Sequence, residues 1–117
     1  MTYIYIQPAV IDKSMMNNKD LIRQFVDMYI VQCPIDFDKL SESVRSYDCQ
    51  DIADLAHHMK PTMEYVGATE LRVNFEELEA LAKNTDNETV IHEKFVALRL
   101  KFQTFIQELI HYRGSIS

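Results

Sequence analysis

The chain has 117 residues, 47% of them apolar and 26% charged, with 18 acidic against 12 basic side chains and a formal net charge of -6. This length suits one globular domain with a single sizeable core, and the composition excludes disorder, collagen-like and low-complexity architectures. An acidic chain lacks the charge to neutralise a phosphate backbone, so nucleic-acid binding is not expected. No apolar run reaches the roughly 18 residues of a membrane span, and the start at Met1-Thr2-Tyr3 carries no basic segment typical of a signal peptide. Two cysteines, Cys33 and Cys49, make no disulfide framework, so a reducing cytoplasm is the expected compartment.

Residues 1–16 show no helical period. Tyr3-Ile4-Tyr5-Ile6 is β-prone and Pro8 follows, so an extended or disordered arm is expected here. Asn17 and Asn18 are good N-caps and Asp20 suits a first turn, so helix A begins there and carries Leu21, Ile22, Phe25, Val26, Tyr29 and Ile30. Pro34 is expected to end it. Helix B then carries Phe37, Leu40, Val44 and Tyr47. Asp48 caps helix C, whose stripe is Ile52, Leu55, Ala56, Met59, Met63 and Val66, and Gly67 closes it. Helix D carries Leu71, Phe75, Leu78 and Ala82. Thr85-Asp86-Asn87-Glu88 reads as a capping box with Thr85 as the cap. Helix E alternates steps of four and three through Ile91, Phe95, Leu98, Phe102, Phe105, Leu109 and Tyr112, a heptad seam. Its aromatic residues read as core at this spacing, not as a cofactor box.

So few breakers (two Gly, three Pro) leave little room for the tight turns of a sandwich or barrel. Short connections make sequential helices antiparallel. The expected fold is therefore all-α: helices B to E in an antiparallel up-down-up-down four-helix bundle over residues 17–117. Helix A is an additional N-terminal helix capping one end or extending B, and residues 1–16 form the arm.

No Gly-rich phosphate loop, GxSxG, HExxH or CxxC occurs, which leaves His57, His58, His92 and His111 with nearby carboxylates as candidates for chemistry. His57 and His58 differ by about 100° around their helix and do not serve one site. Ala53, Asp54, Lys60, Pro61 and Glu64 share the helix face of His57. A neutral imidazole nitrogen is a good nucleophile near its pKa of about 6.5, and Lys60, one turn on, can neutralise an anion placed on it. His92 and His111 fall off the helix E seam and read as surface residues. A metal site from His57 with Asp54 or Glu64 lacks matched ligands on a second helix. Neither cysteine has a basic neighbour in sequence to activate it.

The stretch from Leu55 to Ala68, Leu-Ala-His-His-Met-Lys-Pro-Thr-Met-Glu-Tyr-Val-Gly-Ala, resembles the signature of histidine-containing phosphotransfer (HPt) domains of bacterial two-component phosphorelays. That signature reads A-H-x-L-K-G, with a second Gly ten residues after the His and a small or apolar residue following it. Ala56, His57, Lys60, Gly67 and Ala68 match in register, and Met59 stands for Leu. Leu71, Leu78 and Glu79 fall where the family places its next helix, and the likeness covers residues 18–113. Two positions depart: Pro61 stands where the family has Gly after the Lys, and Glu64 where it has Gly seven after the His. Pro61 removes one N–H, so a mild kink and a partly free His57 carbonyl are expected.

The resemblance implies a phosphoryl carrier rather than an enzyme, with no ATP site and no autokinase activity. His57 would take the phosphoryl group from one receiver-domain aspartate and pass it to another. Lys60 would compensate its charge, and Glu79 would hold the inner imidazole N–H. Ala53, Asp54, His58, Pro61, Glu64 and Gly67 would lie at the receiver-docking surface. No cofactor of its own is implied, since magnesium belongs to the receiver. The partners would be receiver domains of response regulators or hybrid sensor kinases, with no nucleic acid or membrane contact, and the chain would act as a monomer. The rival reading is a phosphorylation-independent helical binding module with a silent histidine.

Overall fold

The computed structural model describes residues 2–85 and 87–116, and among these every regular element is helical. The elements are α1 (Pro8–Ser14), α2 (Lys19–Arg45), α3 (Cys49–Tyr65), α4 (Thr69–Asn84) and α5 (Glu88–Ser115). No helix is long and apolar enough to cross a membrane among the described residues.

The main departure from the sequence expectation is at Pro34. Helices A and B are one continuous 27-residue helix, α2, with Pro34 inside it. Ile22, Val26, Tyr29, Cys33, Phe37, Leu40 and Val44 are buried along it at steps of three and four, so the inward stripe crosses the proline without a change of phase. Packing on both sides of the break offsets the roughly 3 kcal/mol that an interior proline costs. Asn18 is the N-cap, its side chain accepting from Leu21 N at 3.1 Å.

Residues 8–14 are a second correction. Residues 2–7 have no regular element and lie on the body as an arm, but Pro8 opens α1 at its first turn, where its missing N–H is not needed. Ile6, Ile11 and Met15 are buried in the core. The additional N-terminal helix is thus α1, packed on α3, and not residues 17–34.

α3 begins at its Asp48 cap, which accepts from Asp51 N at 3.1 Å, and runs through Pro61 without a break. It ends where Gly67 stands at φ +72°, with Ala68 N bonded to Met63 O (2.8 Å) and Gly67 N to Glu64 O (3.2 Å). That pair of bonds satisfies two of the last carbonyls. For α5 the cap is Asn87, accepting from Val90 N at 3.3 Å, and not Thr85, whose Oγ1 instead accepts from Asn87 N at 3.1 Å. Asp86 lies outside the described residues.

α2 packs on α3 and α5, and α4 packs on α3 and α5, so the four long helices close a ring. The whole helix E seam, from Ile91 to Tyr112, is buried within it. Phe37 stacks on Phe102 at 4.1 Å, and Phe75 meets both rings edge-on. α2 and α5 are longer than α3 and α4. Residues 2–16 lie near the end of α3, at its Val66 and Gly67, and their chain bonds to Glu108 in the last turns of α5.

Candidate functional site

α3 and α4 face each other in antiparallel register, which brings His57 to Glu79 and Glu64 to Arg72. The inward stripe of α3 (Ile52, Ala56, Met59, Met63) fixes the rotation of the helix. His57 is therefore left at the edge of the stripe, its side chain 69% exposed. On α4, Leu71, Phe75, Leu78 and Ala82 do the same and carry Glu79 to the seam, its side chain only 10% exposed.

Three groups converge on the Glu79 carboxylate. His57 Nδ1 lies 3.2 Å from Oε2 and 3.4 Å from Oε1. Lys60 Nζ is 2.8 Å from Oε1 and Lys83 Nζ is 3.0 Å from Oε2. Burial alone would raise the pKa of Glu79, but hydrogen bonds from Lys60 and Lys83, the charge of Lys60 and the His57 contact outweigh it and hold the carboxyl at about 2. An ionised carboxylate accepts from Nδ1–H, which fixes the tautomer and leaves the lone pair on Nε2. Nε2 has no partner among the described residues. The arrangement is an oriented, exposed imidazole with a free nucleophilic nitrogen beside two ammonium groups.

His58 points the other way, towards α2. Its Nε2 is 3.5 Å from Oδ2 of Asp36, a nearly buried carboxylate that also accepts from Gln32 Nε2 at 2.9 Å. Around His57, Asp54 is exposed and accepts from Gln50, and Glu64 is exposed and pairs with Arg72 at 2.8 Å. Those carboxylates are held by neighbours on the helices and do not gather on the imidazole. Pro61 is exposed one turn from His57.

Two residues expected at the surface are not there. Ala53 is buried, 2% exposed, because it belongs to the inward stripe with Ile52 and Ala56. Gly67 is buried beneath α1, and a Cβ added there would lie 2.8 Å from Gln7 Cβ and 2.9 Å from Val10 Cβ. Gly67 therefore seats residues 7–10 and ends α3, and neither residue is available to a docking partner.

Sequence reasoning overlooked Lys83 and Asp36. The Glu79–Lys83 spacing of four is itself a helical ion-pair signal. Nothing local marks Asp36, since its burial follows from α2 continuing through Pro34. His92 and His111 are exposed, and His111 Nδ1 pairs with Tyr3 OH at 2.9 Å. Cys33 is buried, and burial with the nearby Asp36 pushes its thiol up to about 12, so it carries no thiolate chemistry.

Comparison with protein-family models, with curated proteins and with solved structures finds no match for this chain.

Proposed function

We propose that this chain is a cytoplasmic phosphoryl carrier of the HPt type, an antiparallel four-helix bundle that relays a phosphoryl group between receiver-domain aspartates. The observation that carries the reading is the contact of His57 Nδ1 with buried, ionised Glu79 in a side chain that is otherwise 69% exposed. Around it Ala56, Lys60, Gly67 and Ala68 match the HPt signature in register, while Pro61 and Glu64 depart from it.

In the proposed transfer, the lone pair of His57 Nε2 attacks phosphorus of a receiver's aspartyl phosphate. The P–O bond breaks as the N–P bond forms, and the aspartate leaves as a carboxylate. No base is needed because Nε2 carries no proton, and Nδ1–H stays on Glu79, whose negative charge stabilises the ring as it becomes cationic. Magnesium is supplied by the receiver, and catalysis is alignment plus charge neutralisation. Lys60 has three donors and spends one on Glu79, so it can bridge that carboxylate and a phosphoryl oxygen. Asp54, His58, Pro61 and Glu64 form the docking rim. The carrier has no ATP site and is not an enzyme in its own right.

The test is incubation with phosphorylated receiver domains, followed by detection of acid-labile, base-stable phosphate on the chain. Label is expected on wild type and on His58→Gln, and absent from His57→Gln. Equal labelling of both variants overturns the assignment of His57. Receiver binding without any label identifies a docking module with a silent histidine.

A further inference from the structure

We propose that the pocket where α1, α2 and the last turn of α3 meet binds a small uncharged ring compound, held by a hydrogen bond from the Tyr29 hydroxyl. The pocket lies on the α2 side of α3, whereas His57 faces α4, so this inference stands apart from the carrier reading.

Ser14 and Met15 at the end of α1, Leu21, Phe25 and Tyr29 on α2, and Tyr65 on α3 line a volume of about 300 Å³, at the lower end of the range for small-molecule sites. None of these side chains is charged. Tyr29 is 5% exposed, and its ring lies tilted against Phe25 with the centroids 6.0 Å apart. Its hydroxyl has no hydrogen-bond partner among the described residues, although a buried tyrosine O–H ordinarily finds one. Burial, with Cys33 and Tyr65 close by, pushes the phenol up to about 12, so it stays an O–H donor at neutral pH.

The chemistry of the walls selects the occupant. One unused O–H donor calls for one acceptor oxygen. A carboxylate or phosphate would find no cation in these walls, and an ammonium no anion, so a charged ligand would lose its hydration without compensation. Met15, Leu21 and the rings of Phe25 and Tyr65 offer apolar surface, and the rings favour a flat aromatic partner. Water fills such a site poorly. Ser14 and Tyr65 are exposed, which leaves a water at the Tyr29 hydroxyl short of the about two to four polar partners that hold one in place. Displacing a poorly held water gains affinity. The ligand is thus an uncharged single-ring molecule bearing a carbonyl or ether oxygen. Bound there, it touches three helices at once and ties α1 to the bundle.

The experiment is an amide NMR titration of the full chain with acetophenone, a ring with one carbonyl, and with benzoate, the same ring carrying a charge. Acetophenone is expected to give saturable shifts at Met15, Phe25, Tyr29 and Tyr65, with a Kd of about 1 mM for so small a molecule. Benzoate should bind at least about tenfold more weakly. Tyr29→Phe keeps the ring and removes only the hydroxyl, so it should hold its helicity by circular dichroism and bind acetophenone about fivefold more weakly. Phe25→Lys, at the more exposed wall, should stay helical and lose binding. Shifts that do not saturate up to the solubility limit, or that fall elsewhere on the chain, overturn the proposal. So does equal affinity of wild type and Tyr29→Phe, or benzoate bound as tightly as acetophenone.

Discussion

Lys60 Nζ lies 2.8 Å from Glu79 Oε1, so the lysine one turn beyond His57 is bound to the very carboxylate that faces the imidazole. Lys60 is thereby part of the device that holds the ring as well as a charge near it. Its side chain is only 21% exposed, which distinguishes it from a lysine on a solvated face.

Lys60→Ala should cost about 1–2 kcal/mol of stability, less than the loss of a sole partner from a buried pair, because Lys83 remains on Oε2. The phosphorylated state should become several-fold less populated. The ratio of phosphorylated carrier to phosphorylated receiver, read at equilibrium at low and high salt, measures this. Part of the effect should persist at high salt, because a partly buried pair is screened less than an exposed one.

Glu79 makes stability depend on pH in a defined window. Its folded pKa, about 2, lies below its ordinary value of 4.5. The stabilisation is therefore complete above about pH 4.5 and is lost as pH falls towards 2. With Lys83 57% exposed, screening reduces the contribution to about 1–2 kcal/mol. Urea midpoints measured between pH 6 and pH 2.5 should fall more steeply for wild type than for Glu79→Gln. Parallel curves would show that Glu79 is not held by its lysines.

Much of this was legible in the sequence. The α5 seam, the stripes of α3 and α4, the Asp48 cap and Gly67 as the end of α3 follow from periodicity and capping chemistry. So does the separation of His57 from His58 onto different faces. Pro34 was misleading because a local rule, that the residue before proline avoids the helix, competed with a non-local one. The stripe from Ile22 to Val44 keeps phase across it, and that continuity was the signal for one helix. Residues 2–16 were illegible for a related reason. Their β-prone tyrosines and isoleucines find partners in Glu108 and His111, far along the chain.

Gly67→Ala should destabilise the fold by about 2–4 kcal/mol, combining the cost of positive φ with the clash against Gln7 and Val10. Those two contacts are Cβ atoms close to backbone, so they yield only if α1 shifts. Faster amide exchange at residues 10 and 11, with α4 and α5 protected as before, would locate the damage. An unchanged unfolding midpoint would mean α1 does not rest on Gly67.

Phe102→Ala should cost about 3–5 kcal/mol. The ring is 4% exposed and touches Phe37, Phe75 and Phe105, so its removal leaves a cavity between α2, α4 and α5. Denaturant unfolding measures the loss, and a midpoint like that of wild type would place Phe102 outside the core.

Glu108 has a consequence for the order in which the chain acquires its structure. It is 1% exposed and accepts from the backbone N–H groups of Ile4 (2.7 Å), Tyr5 (2.9 Å) and Ile6 (3.1 Å). Those residues precede it by 102 to 104 positions. On the ribosome the amides of residues 4–6 emerge long before the carboxylate that receives them has been synthesised. The α3–α4 hairpin can form as soon as it clears the exit tunnel, whereas the docking of residues 4–6 waits for nearly the whole of α5, a closure of very long sequence separation. The N–H groups of residues 4–6 therefore go without this partner through most of synthesis, although α1 can already settle on α3.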